Sequence, residues 1–583
     1  MTNDPLLSRL TALYGAEAET VVTRLRLVMA MHAQPPQPPR SAGLPLSERD
    51  ALLITYGDQL TRRAAAGTAT EPPLRTLADF CAATLPGLVS GVHLLPFYPA
   101  SSDDGFSVVD YRAVDPALGG WDDVAAFRPQ FRLMFDAVIN HLSAQSAWFR
   151  AFLSGDPAFQ NDFVTVAGDP DLSRVVRPRA LPLLTPFATP AGERKVWTTF
   201  SADQVDLNYQ NPDVLLEIID TLLFYVDQGA GLLRLDAIAY LWKEIGTTCL
   251  HLPQTHAVIQ LIRAVLDEVA PATLLITETN VPHVDNVSYF GDGANEAQLV
   301  YNFALPPLTL HAFHTGRADY LSAWAATLER PSEQATFFNF LASHDGVGLN
   351  PARGLLPAAE IEALVARVQA HGGLVSYKHN ADGTASPYEL NINYFDALSD
   401  PAAAEPPETA VDRLVCAHAL MFALAGVPGL YFHSLFGSRG WPAGVALTGR
   451  NRTLNRQKYD LDPFVAELAA PGRRRAVFER LAHLLRLRAA HAAFHPLGRQ
   501  TVVAAGPAVF ALRRAALDGS APALCLHNVS ALPQVAHLDP AALAWPAPAA
   551  RDLIDGHVTF VDNSSLAVAL APYQASWLVP TRA

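Results

Sequence analysis

The chain predicts an α/β fold: a (β/α)8 TIM barrel, with small domains inserted after strands 3 and 7 and an all-β domain at the C-terminus. Three observations carry that prediction. Eight short apolar runs recur between residues 51 and 432, most of them separated by stretches of helical period. Asp236, Glu278 and Asp345 each follow such a run within one to three residues. In a parallel barrel the C-terminal strand ends converge on one face, so carboxylates placed there can share a pocket. Finally, two of the intervals are too long for simple βα connections.

Residues 1–32 carry helical apolar spacing, broken at Tyr14-Gly15, and Ala33–Arg40 is a Pro-rich extended connector. The strand candidates are Ala51–Tyr56, Val92–Phe97, Leu133–Ile139, Leu232–Leu235, Leu274–Thr277, Leu299–Phe303, Phe337–Ala342 and Val427–Phe432. Val214–Val226 and Thr255–Val269 have helix period. An insertion rich in Pro, Thr and Phe fills 142–208; a second, at 346–411, contains the polar run Lys378–Pro387. Insertions of that length in a compact enzyme usually wall or cover the site. Residues 473–492 form an Arg-rich final helix, and the runs Val502–Ala505, Val509–Arg513, Ala523–His527 and Trp577–Val579 predict the β domain. The expected division is barrel at 1–141 with N-terminal helices, insert at 142–208, barrel at 209–345, insert at 346–411, barrel at 412–492 and β domain at 493–583.

A formal charge of −14, with no Lys/Arg run longer than the three arginines Arg473–Arg475, disfavours nucleic acid and anionic membranes as partners. The four cysteines, Cys81, Cys249, Cys416 and Cys525, lack metal or disulfide spacing and read as free thiols in a reducing compartment. The N-terminus shows no basic-then-apolar leader pattern, and no stretch reaches the ~18 apolar residues of a membrane span. The expectation is a soluble cytoplasmic protein with small-molecule partners, a homodimer being left open.

Paired carboxylates at one barrel face suit retaining glycoside chemistry, which needs a nucleophile and a proton donor that later acts as a base. Asp236 is the candidate nucleophile. Arg234, two residues earlier and so on the same side of the strand, would keep it ionised and oriented. Glu278 is the candidate acid/base, a role that requires partial desolvation to raise its pKa. His344 and Asp345 would hold sugar hydroxyls and stabilise an oxocarbenium-like transition state, and Asp136, Asn140 and His141, at the end of the third strand, add polar groups to the same face. Taken singly, a strand-end Asp is more often a cap, His141 a satisfied core histidine, and Arg234–Asp236 a structural ion pair. Their recurrence at one register of one architecture favours catalysis.

Four segments, Phe135–His141, Leu232–Ile238, Thr277–Asn280 and Ala342–Asp345, resemble the signature regions of the α-amylase family of glycoside hydrolases. Ser102–Phe106, Trp197–Asp206, Lys243–Cys249, Phe303–Pro307 and Leu454–Arg456 narrow the resemblance to its sucrose phosphorylase subfamily. That resemblance implies a β-glucosyl ester on Asp236, with Glu278 as acid/base and Asp345 as transition-state stabiliser. It implies donor-glucose contacts from Asp103, His141, Arg234, His344 and Arg456, with Gln204, Tyr240 and Asn280 in the same substrate-binding set. Phe106 and Phe200 would be its aromatic walls, and Arg179 and Tyr388 loop residues that meet phosphate. It also implies no metal and no organic cofactor, phosphate being a substrate.

Three positions depart from the sucrose-cleaving pattern, all on the acceptor side: Ala180-Leu181, Asn280 and Glu389. The runs Arg177–Pro186, Thr279–His283, Phe340–Gly346 and Ser386–Leu390 instead resemble the glucosylglycerate phosphorylase branch. An acceptor carboxylate calls for cations, and Arg177, Arg179, Lys378 and His379 are the candidates. Two alternatives stay open: a phosphorylase for sucrose, sucrose 6′-phosphate or glucosylglycerol, and a non-catalytic amylase-like binding protein.

Overall fold

The computed structural model describes residues 4–32, 43–62, 71–178, 181–379, 384–562 and 565–582, so the Ala33–Arg40 connector, Arg179 and Ala180 lie outside it. Eight parallel strands close a barrel in chain order. They are β1 (Leu52–Thr55), β2 (Gly91–Leu94), β3 (Arg132–Ala137), β4 (Ala230–Leu235), β5 (Leu274–Thr277), β6 (Leu299–Tyr301), β7 (Thr336–Phe340) and β8 (Val427–Tyr431). All eight predicted strands are present, several ending two or more residues early. The cause is visible at Val138, Ile139 and Leu341, which are fully buried although the ladder has ended. Loops that pack over the barrel mouth are as apolar as the strands beneath them.

Parallel strands covered on both faces read as continuous apolar runs, which makes the polar exceptions informative. His93 on β2, Asp136 on β3 and Arg234 on β4 are all fully buried, and Arg234 and Asp136 are register partners on neighbouring strands. His93 Nε2 donates to Asp136 Oδ2 at 2.7 Å, and the Arg234 guanidinium lies against the other carboxylate oxygen. Burial opposes ionisation of Asp136, but Arg234 and His93 outweigh it and hold the carboxyl below its ordinary range.

The helix entering β4, Pro212–Asp227, begins with the Asn211 side chain accepting from the Asp213 N–H and has proline in its first turn. It stops before Gly229, whose φ of 98° turns the chain into the strand. The two N-terminal helices, Pro5–Tyr14 and Ala18–Met31, pack outside the barrel on Pro253–Val269 and Pro212–Asp227 respectively.

The insertion after β3 holds a three-stranded antiparallel sheet, and its ends are tied together where His141–Ser143 pairs with Gln204–Asp206. After β7, the hairpin of Leu374–His379 and Ala385–Asn391 adds to Val347–Gly348, with Ala385–Asn391 in the middle. The C-terminal residues form a six-stranded antiparallel sheet and a two-stranded one. There the strand expected at Val502–Ala505 lies instead at Arg499–Val502, because its partner Leu512–Ala515 sets that register and Gly506 turns the chain soon afterwards. One apolar cluster runs from the N-terminal helices through the barrel to Phe510, Cys525 and Trp577 of this sheet. No helix among the described residues is long and apolar enough to cross a membrane.

Candidate active site

The strands place two carboxylates side by side before any side chain is considered. Asp236 directly follows β4 and donates its N–H to Ala137 O at 3.1 Å; Glu278 directly follows β5 and donates to Leu235 O at 3.1 Å. The parallel ladder thus runs one residue past each strand and ends on a catalytic-type side chain. Asp345 lies on the loop after β7, where its N–H donates to Ser343 Oγ at 3.2 Å. That loop is pinned from behind by Asn455, which donates to Ser343 O at 2.8 Å, and by Arg456, which donates to His344 O at 2.7 Å.

One guanidinium serves both strand-end carboxylates. Arg234 Nη1 is 2.8 Å from Asp236 Oδ1, and its Nη2 is 4.0 Å from Glu278 Oε2. Glu278 Oε2 also accepts from the Ala237 N–H at 3.1 Å. Ala237 sits in the left-handed region at φ 49°, a conformation that costs about 1–2 kcal/mol for a residue with a β-carbon. Burial pushes the Asp236 carboxyl up; Arg234 opposes the rise and the Glu278 charge adds to it. Burial likewise raises Glu278 against Arg234. Arg234 therefore contacts Asp236 as expected, but does not by itself keep that carboxylate in its ordinary range. Asp345 behaves oppositely. Burial opposes its charge, yet Arg452 at 2.6 Å, His344 at 3.4 Å and Arg456 at 3.5 Å hold the carboxyl well below the usual range.

These three carboxylates line a single pocket. Asp103, Phe106, His141, Phe200, Gln204, Tyr240, Asn280 and His344 line the same space, together with Tyr388 and Glu389 from the hairpin. Gln204 Nε2 donates to Asp103 Oδ2 at 3.1 Å and to Phe106 O at 3.2 Å, and His141 Nε2 lies 3.0 Å from Phe106 O. Phe106 stacks on His344 at 4.9 Å, and across the pocket Phe200 meets Tyr240 edge-on at 5.5 Å. The result is a polar floor between aromatic walls. Asp103 and Asp104 both take left-handed backbone, at φ 54° and 51°, so adjacent side chains part company: Asp103 faces the pocket, while Asp104 pairs with Arg456 behind it.

Two predicted donor-site residues stand behind the wall: Arg234 and Arg456 touch Asp236 and Asp345 and do not line the cavity. The acceptor-side cations need correction. Arg177 is exposed on the first insertion, and Lys378 is on the edge strand of the hairpin, one strand removed from Tyr388 and Glu389; neither lines the pocket. Arg179 and the side chain of His379 fall outside the described residues. Glu389 does line the pocket, but its carboxylate is taken by Arg452, whose Nε and Nη2 donate to it at 3.0 and 2.7 Å.

Arg452 is the main residue that reading the chain missed. The signal was present: it precedes Arg456 by one helical turn in Asn451–Arg456, a segment that folds as a 3-10 turn over Asn451–Asn455. Lys243 and Asp206 were also passed over as mere motif positions. Lys243 Nζ is 2.7 Å from both Asn140 Oδ1 and Asp206 Oδ2, and Asp206 accepts from Thr199 N at 2.9 Å. This buried group ties the base of the first insertion to the end of β3, next to His141.

The family of the α-amylase catalytic domain matches residues 87–348. The chain is 49% identical to a glucosylglycerate phosphorylase of Allomeiothermus silvanus, over 98% of each chain. It is 46% identical to one of Escherichia coli strain K12, covering 91% of this chain and 92% of that one. It is 31% identical to a sucrose phosphorylase of Agrobacterium vitis over 76% and 88% of the two chains. Among solved structures, the sucrose 6F-phosphate phosphorylase of Thermoanaerobacter thermosaccharolyticum matches with a TM-score of 0.71 and 25% identity, covering 83% of this chain and 94% of that one. The chain belongs to the α-amylase family, in the group that contains these glycoside phosphorylases.

Proposed function

We propose that the chain is a retaining phosphorylase that converts 2-O-α-D-glucosyl-D-glycerate and phosphate to α-D-glucose 1-phosphate and D-glycerate. The observation that carries the reaction class is the pair of buried carboxyls, Asp236 and Glu278, on one guanidinium at the ends of adjacent barrel strands. The near-full-length likeness to glucosylglycerate phosphorylases supports glycerate as the acceptor.

Asp236 attacks the anomeric carbon as the bond to the glycerate oxygen breaks, and Glu278 gives its proton to that oxygen. A phosphate oxygen then attacks the same carbon, the ester to Asp236 breaks, and Glu278 takes up the proton released by phosphate. Two inversions give net retention. Asp103, His141, Gln204 and His344 hold the glucose hydroxyls, Phe106, Phe200 and Tyr240 bound the ring, and Asp345 with Arg456 behind it stabilises the charge developing on the sugar. Tyr388 and Asn280 stand on the acceptor side, their side chains 3.5 Å apart.

The direct test is glucose 1-phosphate release from equal concentrations of glucosylglycerate, sucrose, glucosylglycerol and sucrose 6′-phosphate. Glucosylglycerate is expected to give the highest kcat/KM; preference for any other donor sinks the acceptor assignment, and free glucose in place of glucose 1-phosphate sinks the phosphorylase assignment.

Activity requires Asp236 ionised and Glu278 protonated. Acidification protonates Asp236 and rising pH strips Glu278, so the profile of kcat/KM is a bell. Because burial raises both groups, the whole bell is displaced upward from the ordinary carboxylate range of about 4. An ionised Glu278 adds to the rise at Asp236, so with a donor that does not need Glu278 protonated, Glu278→Gln should move the acid limb to lower pH relative to wild type. α-Glucosyl fluoride, whose leaving group needs no proton, reports that limb in the variant. An acid limb that stays in place would show that the two carboxyls do not interact.

A further inference from the structure

Both acceptors of the proposed reaction, phosphate and glycerate, are anions, and the pocket must meet them with positive charge. Among the described residues that line it, Arg452 is the one lysine or arginine. The lining histidines are weak substitutes for it, because burial lowers the pKa of His141 and of His344 and so disfavours their charged forms.

The Arg452 guanidinium presents two edges. Nη1 meets Asp345 Oδ1 at 2.6 Å, while Nε and Nη2 together take both oxygens of Glu389. The second edge is in the parallel two-bond arrangement with which a guanidinium accepts a carboxylate or two oxygens of a phosphate. Its present occupant, Glu389, is 2% exposed and follows Tyr388 on the central strand of the hairpin sheet. The backbone there is held on both sides, Glu389 being opposite Gly348 and Ser376. A β-carbon at Gly346 would lie 2.5 Å from Leu390 O, so that packing leaves the strand little room to shift. The Glu389 carboxylate therefore reaches Arg452 by side-chain torsions, and can leave it by the same torsions with the hairpin in place.

We infer that Arg452 is an anchor for the acceptor's anionic group, Arg179 lying outside the described residues, and that Glu389 occupies its outer edge until a carboxylate or phosphate displaces it. The inference rests on the phosphorylase reading above. Nη1 stays on Asp345 throughout, and the Nε–Nη2 edge exchanges Glu389 for the acceptor. In a double displacement, glycerate and phosphate react with the glucosyl ester in turn, so one cation can serve both.

The test uses the full chain in the synthetic direction, with glucose 1-phosphate as donor and either D-glycerate or glycerol as acceptor. These two differ at one carbon, a carboxylate against a hydroxymethyl group. Arg452→Gln should lower the ratio of kcat/KM for glycerate to that for glycerol by about 10- to 100-fold, the worth of hydrogen bonds to a charged group. Should that variant be inactive, Arg452→Lys, which keeps the charge and loses the fork, should lower the same ratio less. Glu389→Gln, an amide being the weaker competitor for the edge, should lower KM for phosphate severalfold. Equal losses for both acceptors, with the ratio unchanged, would mean that Arg452 acts only through Asp345, and a raised phosphate KM in Glu389→Gln would exclude displacement. Either result overturns the inference. A wild-type protein that prefers glycerol, or that releases no glucose 1-phosphate from glucosylglycerate, removes instead the reading on which it rests.

Discussion

Replacing Asp236 with alanine is expected to lower kcat/KM for phosphorolysis by roughly 10⁴- to 10⁶-fold, the scale on which enzymes lose rate when a covalent nucleophile is removed. The fold should survive, since Asp236 is at the edge of the pocket and its N–H bond to Ala137 O belongs to the backbone. The vacated face also permits a positive readout. Azide entering where the carboxylate stood would attack an activated α-glucosyl donor from the opposite side and give β-glucosyl azide, while Glu278 remains in place. Product stereochemistry then reports which face Asp236 occupied. Residual phosphorolysis above about 1% of wild type, or an α-configured azide product, is incompatible with Asp236 as nucleophile.

The second large effect concerns stability. Arg234 is 2% exposed and touches Asp136 and Asp236, with Glu278 4.0 Å away. Arg234→Leu leaves these carboxyls buried without their cation, and breaking a buried pair in this way costs about 3–5 kcal/mol. The sign with pH follows from the orphaned groups. In the variant the folded-state pKa of Asp136 rises above its unfolded value and that of Asp236, already raised in the wild type, rises further, so folded chains bind protons that unfolded chains release. The stability gap to wild type is then widest at neutral pH and narrows on acidification. Thermal unfolding of both proteins across pH 5 to 8 measures it. Asp136→Asn in the Arg234→Leu background removes one stranded charge and should recover part of the loss, giving a double-mutant cycle whose coupling term is large. Equal unfolding midpoints for wild type and variant at neutral pH would mean that water already solvates these carboxyls.

The barrel was legible because its evidence is local. Each of β1 to β8 is covered on both faces, so each appears in the chain as a short apolar run, and the ladder can place a polar residue only at its end or at a tolerated interior position such as Arg234. Asp236 and Glu278 were therefore found by counting from those runs. The same rule shows why several strands of the C-terminal sheets escaped notice. Leu566–Leu570 alternates buried and exposed residues, but four of its five residues, all but Val568, are not strong strand formers by themselves, and Gln534–Leu538 mixes polar and apolar positions in the same way. Such strands are defined by the partner they pair with.

Acceptor-side chemistry was the least legible part, and Arg177, Lys378 and Arg452 show the reason. All three lie outside the barrel strands, where position along the chain does not encode direction. A motif picked out the first two as cations near the right loops, yet Arg177 ended in solvent and Lys378 on the far strand of its hairpin. Arg452 carried no more conspicuous signal than either, and only packing of the Asn451–Asn455 turn against the hairpin aims it at Asp345 and Glu389.

By itself the sequence determined the barrel, the order of its strands and which carboxylates stand at their ends, because strand period and burial are properties of neighbouring residues. Beyond the Arg234–Asp236 contact and the desolvation of Glu278, the tertiary structure alone decided which cation meets which carboxylate, and hence that burial raises Asp236 against Arg234 while Arg452 holds Asp345 ionised. Charges interact through space, over a few ångströms, and residues 345, 389 and 452 come within that range only after the loops have packed.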